Sequence, residues 1–264
     1  MSVRGARRPD VLVLCHHAID DSWPAELSVT PDNFGRQLDL LLERGYQATT
    51  FTEAVLSPRA ARMVAITFDD GFRSVIELAF PLLRERGLVA TVFIPTSFVD
   101  ADHAASWDGV SRWLGTAHES KLRPLSQPEL VELADSGWEI GSHTCTHPHL
   151  TQLDDAKLAW ELTESRRHCS ELVGRPCLSL AYPYGDFDQR VRDAAAAAGY
   201  RAACTVPTRF HRATPLAWPR VGVWHDDTDR TFALKVSPTV RRIRRSPLWA
   251  VLDTLRLAWG RLRR

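Results

Sequence analysis

The sequence has no hydrophobic run long enough to cross a bilayer. Its early apolar stretch, Val11-Leu12-Val13-Leu14-Cys15, follows Arg4, Arg7 and Arg8 but is too short for a secretory signal core, and no small-residue cleavage site follows it. It has no CxxC pair, and five cysteines without regular spacing do not form a disulfide framework. These absences make the cytoplasm the expected location. Net charge is also small: +1 over 264 residues gives no strong field for nucleic acid, so no nucleic-acid partner is expected. The balance hides an asymmetry, because residues 235–264 carry nine basic side chains and one acidic, a net +8, against −7 for residues 1–234. A hydrophobic content of 44% supports a sizeable core, and the length fits one large domain or a barrel.

What is present is an alternation. Apolar strand-like runs near residues 10–15, 46–51, 63–66, 89–94, 138–141, 178–181, 201–206 and 218–224 are separated by segments of helical period. Thr30-Pro31 and the capping box Ser126–Glu129 mark two helix starts; other helices are expected from Thr52, over Val75–Leu83, over Asp154–Val173 and over Asp188–Ala198. Alternating strands and helices predict an α/β fold with a parallel sheet. About seven strand–helix units favour an irregular (β/α) barrel over residues 10–234. Most of the chemistry-bearing side chains fall just after a strand: His17, Asp69, Asp70, His143, His147, Tyr184 and Arg220. In β/α barrels that end of the sheet carries the active site.

Asp69 and Asp70 sit in Thr67-Phe68-Asp69-Asp70-Gly71, where a strand stops and Gly71 permits a tight turn. Two ionised carboxylates this close repel unless a cation or a shared proton relieves them; the plain alternative is a helix N-cap pair. His143 and His147 are spaced i, i+4, a metal-binding spacing, but Thr144 stands where a helical metalloprotease has Glu. Two histidines and one carboxylate with open positions suit zinc or non-haem iron. His149 is nearby and reads as a surface residue.

The Thr67–Gly71 motif and His143-Thr144-Cys145-Thr146-His147 resemble the first two motifs of the polysaccharide deacetylases, the fourth carbohydrate esterase family, and the resemblance spans roughly residues 10–225. It implies a metal-dependent hydrolase that removes N-acetyl groups from an amino sugar in a glycan, glycolipid or glycoconjugate. By the resemblance, Asp70, His143 and His147 hold a divalent ion, zinc first, with cobalt, nickel or iron as alternatives. Asp69 is the general base, and the Tyr184 backbone N–H stabilises the oxyanion. The third motif matches at Pro183 and Tyr184, but Ala181 replaces the arginine that orients the base; Arg220 is expected to supply that guanidinium. The family's late acid histidine has no clear counterpart. Some members carry it at the N-terminus after an apolar strand, which points to His17 rather than His16. Tyr182, Pro183 and Trp107, the last in an irregular segment expected over the site, are expected to contact substrate. A non-sugar amide or imide, an O-acetyl ester, or a silent carbohydrate-binding role stay open.

Leu248, Leu252, Leu255, Trp259 and Leu262 form an apolar stripe at helical spacing, with arginines from Arg241 to Arg264 around it. This extension, residues 235–264, reads either as an amphipathic helix on an anionic membrane surface through residues 241–264, suited to a glycolipid substrate on its cytoplasmic side, or as a helix packed on the barrel or a second subunit. The oligomeric state is left open.

Overall fold

The structure, a computed structural model, describes residues 9–59, 62–207 and 210–246. In chain order the strands are β1 (Asp10–His16), β2 (Ala18–Ile19), β3 (Ser28–Val29), β4 (Gln47–Thr49), β5 (Arg62–Phe68), β6 (Thr91–Ile94), β7 (Glu139–Ser142), β8 (Ser179–Ala181), β9 (Ala202–Thr205), β10 (Trp218–Pro219) and β11 (Val221–Gly222). The α-helices are α1 (Pro31–Glu43), α2 (Phe51–Leu56), α3 (Phe80–Glu85), α4 (Gln127–Asp135), α5 (Asp155–Val173), α6 (Gln189–Ala197), α7 (Asp229–Lys235) and α8 (Pro238–Arg244).

The main sheet runs β10-β9-β8-β7-β6-β5-β1-β11, with every pairing parallel. β1 takes one edge of β5 over its whole length. The other edge is shared: β4 pairs with its first half, and β6 with Thr67 and Phe68. β10 and β11 are one extended segment interrupted at Arg220. Its first two residues pair with β9, its last two with β1, so the sheet comes back on itself as a nearly closed barrel.

The interior is filled at one end by Phe51 and Phe93 among small residues, Ala65, Ala181 and Ala202. A larger apolar layer lies between the strands and the outer helices. A third cluster, with Trp23, Phe72, Trp107 and Leu122, packs under the long segment after β6.

Helix starts follow the capping chemistry. Thr30 accepts from Asn33 N, Asp154 from Lys157 N, and the Ser126–Glu129 box is formed. Two boundaries differ from expectation. Thr50, not a later residue, caps α2, and Phe51 N donates to Thr91 Oγ1, so the strand before it shrinks to Gln47–Thr49. The helix after the Asp pair opens as a π-turn, Val75–Ala79, before α3. Pro81 cannot donate to a carbonyl one turn back, which accounts for the widened turn. The buried face there is Val75, Ala79, Phe80 and Leu83, while Leu78 and Leu82 are only partly covered.

Residues 234 and 235, the expected boundary, lie inside α7. Arg241, read as one of the cations of a membrane face, is instead buried. Its guanidinium bonds Asp10 Oδ1 at 2.6 Å, Val11 O at 3.2 Å and Tyr46 Oη at 3.0 Å, pinning α8 to the start of β1. The stripe Leu248–Leu262 lies outside the described residues. No described helix is long and apolar enough to cross a membrane.

Candidate active site

β5 ends at Phe68, and the chain turns at once: Asp70 has φ 71° and Gly71 φ 60°. A Cβ on Gly71 would sit 3.0 Å from Ile94 Cγ2, so the turn needs glycine on both counts. Asp69 and Asp70 therefore leave the strand in different directions, and neither caps the following helix. The loop after β7 makes two more left-handed residues, Thr144 (φ 68°) and His147 (φ 61°), and Tyr184 after β8 makes another (φ 59°). Four of the five described non-glycine residues with positive φ thus belong to these three turns, where backbone strain accompanies a functional arrangement.

The turns bring Asp70, His143 and His147 together. His143 Nε2 and His147 Nε2 each lie 3.4 Å from Asp70 Oδ1 and 3.2 Å from each other. His143 Nδ1 is 2.8 Å from Ala181 O, so it carries the proton and leaves the Nε2 lone pair facing inward. His147 Nδ1 has no partner to fix its tautomer; with its Nε2 lone pair also turned inward, three acceptor atoms converge in a buried place, an arrangement that a positive charge among them relieves. Tetrahedral coordination at about 2.0–2.1 Å separates donor atoms by about 3.3–3.4 Å, so the three fit a zinc-sized ion without rearrangement. Lacking one, a proton would serve. Burial works against charge on His143, but Asp69 and Asp70 outweigh it and raise its pKa, while burial lowers that of His147. Burial also opposes charge on Asp70, yet its two imidazole neighbours hold its carboxyl well below the usual range.

Asp69 lies in a separate arrangement beside this one. Arg220, fully buried, grips it with both nitrogens: Nη1–Oδ1 2.7 Å and Nη2–Oδ2 2.6 Å. Arg220 Nη1 also donates to Thr67 Oγ1 at 2.9 Å, and its guanidinium lies 5.6 Å from the Phe93 ring centre. Burial alone would raise the Asp69 pKa; the guanidinium overrides it and holds it at about 2. Cys15 Sγ donates to Oδ2 at 3.4 Å, and burial pushes that thiol far up. Cys15, His17 and Asp69 also converge. With a guanidinium across the carboxylate and a protonated thiol, they steady Asp69 rather than bind a cation.

His17, Asp69, Asp70, His143 and His147 line one cavity of about 260 Å³, and Arg220, Cys15, Thr67 and Phe93 do not. His17 sits on its wall, stacked on Trp224 at 5.5 Å, its Nδ1 buried without a partner. Burial lowers its pKa against the pull of Asp70 and Asp69. Trp107 covers His147 at 4.5 Å, and Tyr184 meets the same ring edge-on at 4.7 Å. His149 is not in the cluster; it stacks on Tyr184 at 3.9 Å and faces Asp186 at 3.7 Å. Two expected substrate contacts change. Pro183 is buried behind its turn and does not line the cavity. Tyr182 reaches the wall, but its hydroxyl is spent on Leu216 O and its ring on Phe187. Sequence reading missed Asp108, Leu27 and Val206 on the rim, and Glu161 beneath it. Glu161 is buried and accepts from Cys145 N at 2.7 Å, from Thr146 N at 3.1 Å and from Thr146 Oγ1, holding the loop between the two histidines. On an amphipathic helix it reads as a solvated charge, and no local signal separates it from Glu164.

The sequence profile of the polysaccharide deacetylases matches residues 56–203, more than half of the chain, including the Asp69–Asp70 turn and the His143–His147 loop. The chain belongs to the polysaccharide deacetylase family. Among this family's members, a Bacillus subtilis protein provisionally named polysaccharide deacetylase YxkH is 26% identical over 198 residues, covering 73% of this chain and 63% of its own. The poly-beta-1,6-N-acetyl-D-glucosamine N-deacetylase of Staphylococcus aureus is 26% identical over 171 residues, 60% of this chain and 54% of its own. This chain therefore spans about half to two thirds of these relatives' lengths. A Bacillus cereus polysaccharide deacetylase structure superposes with a TM-score of 0.70 at 26% identity, covering 86% of this chain and 69% of that one.

Proposed function

We propose that the protein is a hydrolase that removes acetyl groups from the amino sugars of an N-acetylated glycan. The observation that carries this is the meeting, in one cavity, of a three-acceptor cluster suited to a divalent ion with a second carboxylate held ionised beside it. Asp70, His143 and His147 would hold the ion, with zinc the best match to the donors. When bound, such an ion supplies Lewis-acid polarisation of a carbonyl and acidifies a neighbouring water.

The chain's own residues do the rest. Arg220 occupies one side of the Asp69 carboxylate and fixes its plane; Cys15 Sγ takes a second position on Oδ2, which leaves Oδ1 the lone pair for an incoming water. A carboxylate with a pKa near 2 is a weak base, so Asp69 takes its proton as the attack proceeds, not before. His17, on the cavity wall close to Asp69, delivers a proton to the departing amine, which is a poor leaving group without one. Trp224 fixes the plane of His17. Trp107 and Tyr184 are aromatic walls against which a sugar ring can lie. The backbone N–H of Tyr184 stabilises the tetrahedral oxyanion, a donation typically worth about 10²–10³ in rate.

Acetate release from N-acetylglucosamine oligomers tests the reading. Activity that vanishes in Asp69→Asn and in Asp70→Asn, and on treatment with a chelator, is the expected result. Turnover retained by either variant would remove it.

A further inference from the structure

The end of the barrel opposite the cavity carries a cationic groove. Arg44, Arg62 and Arg230 border a groove of about 530 Å³ that no carboxylate lines. None of the three makes an ion pair among the described residues, whereas Arg36, Arg59, Arg86 and Arg241 all do. Arg62 opens β5, and Asp69 and Asp70 follow its other end. Seven strand residues at about 3.3 Å each put the groove roughly 20 Å from the cavity.

Apolar side chains stand beside these cations. Leu234 lines the groove and is 53% exposed; Ile243, on the helix that Arg241 ties to the start of β1, is 41% exposed. A site for a small soluble anion would enclose it with buried donors. Here Arg62 and Arg230 are exposed and an aliphatic side chain lies among them, as in surfaces that meet an anionic bilayer. The adjoining sequence has the same character. Residues 1–8, which lead into β1, carry three arginines and no acid; residues 247–264, which follow α8, carry four arginines and one aspartate, with the leucine–tryptophan stripe.

We infer that this end of the barrel docks on a bilayer bearing anionic lipid, with Arg62 and Arg230 on headgroups and Leu234 and Ile243 at the acyl boundary. The inference does not depend on the reaction in the cavity. It turns the cavity away from the membrane, which suits a glycan extending into solution over a sugar held at the lipid headgroup.

Sedimentation of the full chain with phosphatidylcholine vesicles, plain or containing about a third phosphatidylglycerol, tests it. The protein should pellet only with the anionic vesicles, and less as salt rises. Arg62→Glu with Arg230→Glu should weaken partitioning about 30-fold or more. Leu234→Ser, which leaves the charge untouched, should weaken it several-fold, and both proteins should melt as the wild type does. Inorganic phosphate at matched ionic strength should displace nothing. Three results would each overturn the inference: a charge-reversed variant that pellets like the wild type, displacement by phosphate, or no pelleting at all.

Discussion

An arginine with no exposed surface persists only if its charge is met. Arg220 meets Asp69 through two short parallel bonds, and small side chains at Ala181 and Ala202 leave the interior room for it. This explains how the chain does without an arginine at position 181. Arg220→Ala should therefore cost about 3–5 kcal/mol of stability, because it strands a buried carboxylate. It should also raise the Asp69 pKa and move the acid limb of the pH–rate profile upward; an unmoved limb would mean that Arg220 only packs. Arg220→Lys should restore little, since one ammonium cannot span both oxygens. His16 gives a second test. It lies between Phe34 at 5.1 Å and Phe68 at 5.6 Å, with Nδ1 unpartnered. Burial, then His17 and Lys235, lowers its pKa to about 3. Between that value and the ordinary 6.5 the unfolded chain binds a proton that the folded chain refuses, so stability falls as pH drops through this window. Replacing His16 by Leu should flatten that fall by up to about 1.4 kcal/mol per pH unit in urea titrations between pH 6 and 4. An unchanged slope would show that His16 does not contribute to it.

At the level of elements, the loop carrying both histidines is held from below by α5. Glu161 occupies Cys145 N and Thr146 N, while Thr144 Oγ1 accepts from His147 N at 3.0 Å. Glu161→Ala should leave the buried Cys145 N–H and the part-buried Thr146 N–H unmet and loosen the spacing of the two histidines. Zinc affinity, read by competition with a chromophoric chelator, should fall about 10–100-fold, and Glu161→Gln should fall less. Equal affinity in all three proteins would assign Glu161 to stability alone. This support was invisible in the sequence for a definite reason. The proposed ligands themselves sit in short contiguous motifs, Thr67–Gly71 and His143–His147, and local spacing reports them. Glu161 acts across 15 and 16 residues, from a helix face whose period cannot reveal which carboxylate turns inward. The same limit explains the π-turn at Val75–Ala79, which a 3.6-residue period does not anticipate, and the burial of Arg241, whose partner Asp10 is 231 residues away. Arg220 was legible through the resemblance instead: the family's third motif implies an arginine where Ala181 stands, which pointed to a guanidinium from another strand end.

Across the whole molecule, the site is made by closure. Alternating apolar runs announced a parallel barrel. That one segment, Trp218–Gly222, joins both edges of the sheet depends on pairing over long separations that no window of sequence contains. Closure places Arg220 against β5, so Asp69, the proposed base, is oriented by the last stave, while the acceptor cluster links the ends of β5 and β7. An ion held there would cross-tie two loops of the barrel that belong to distant parts of the chain. Binding only the folded state at 100 times Kd contributes about 2.7 kcal/mol. For a domain of this size that corresponds to roughly 5–10 °C in Tm. Metal-stripped protein should melt lower by about that much, recover when zinc is added, and show neither effect in Asp70→Asn. A Tm indifferent to zinc in the wild type would mean that the three acceptors are satisfied by a proton on His143, and that the cavity lacks the charge on which its proposed chemistry depends.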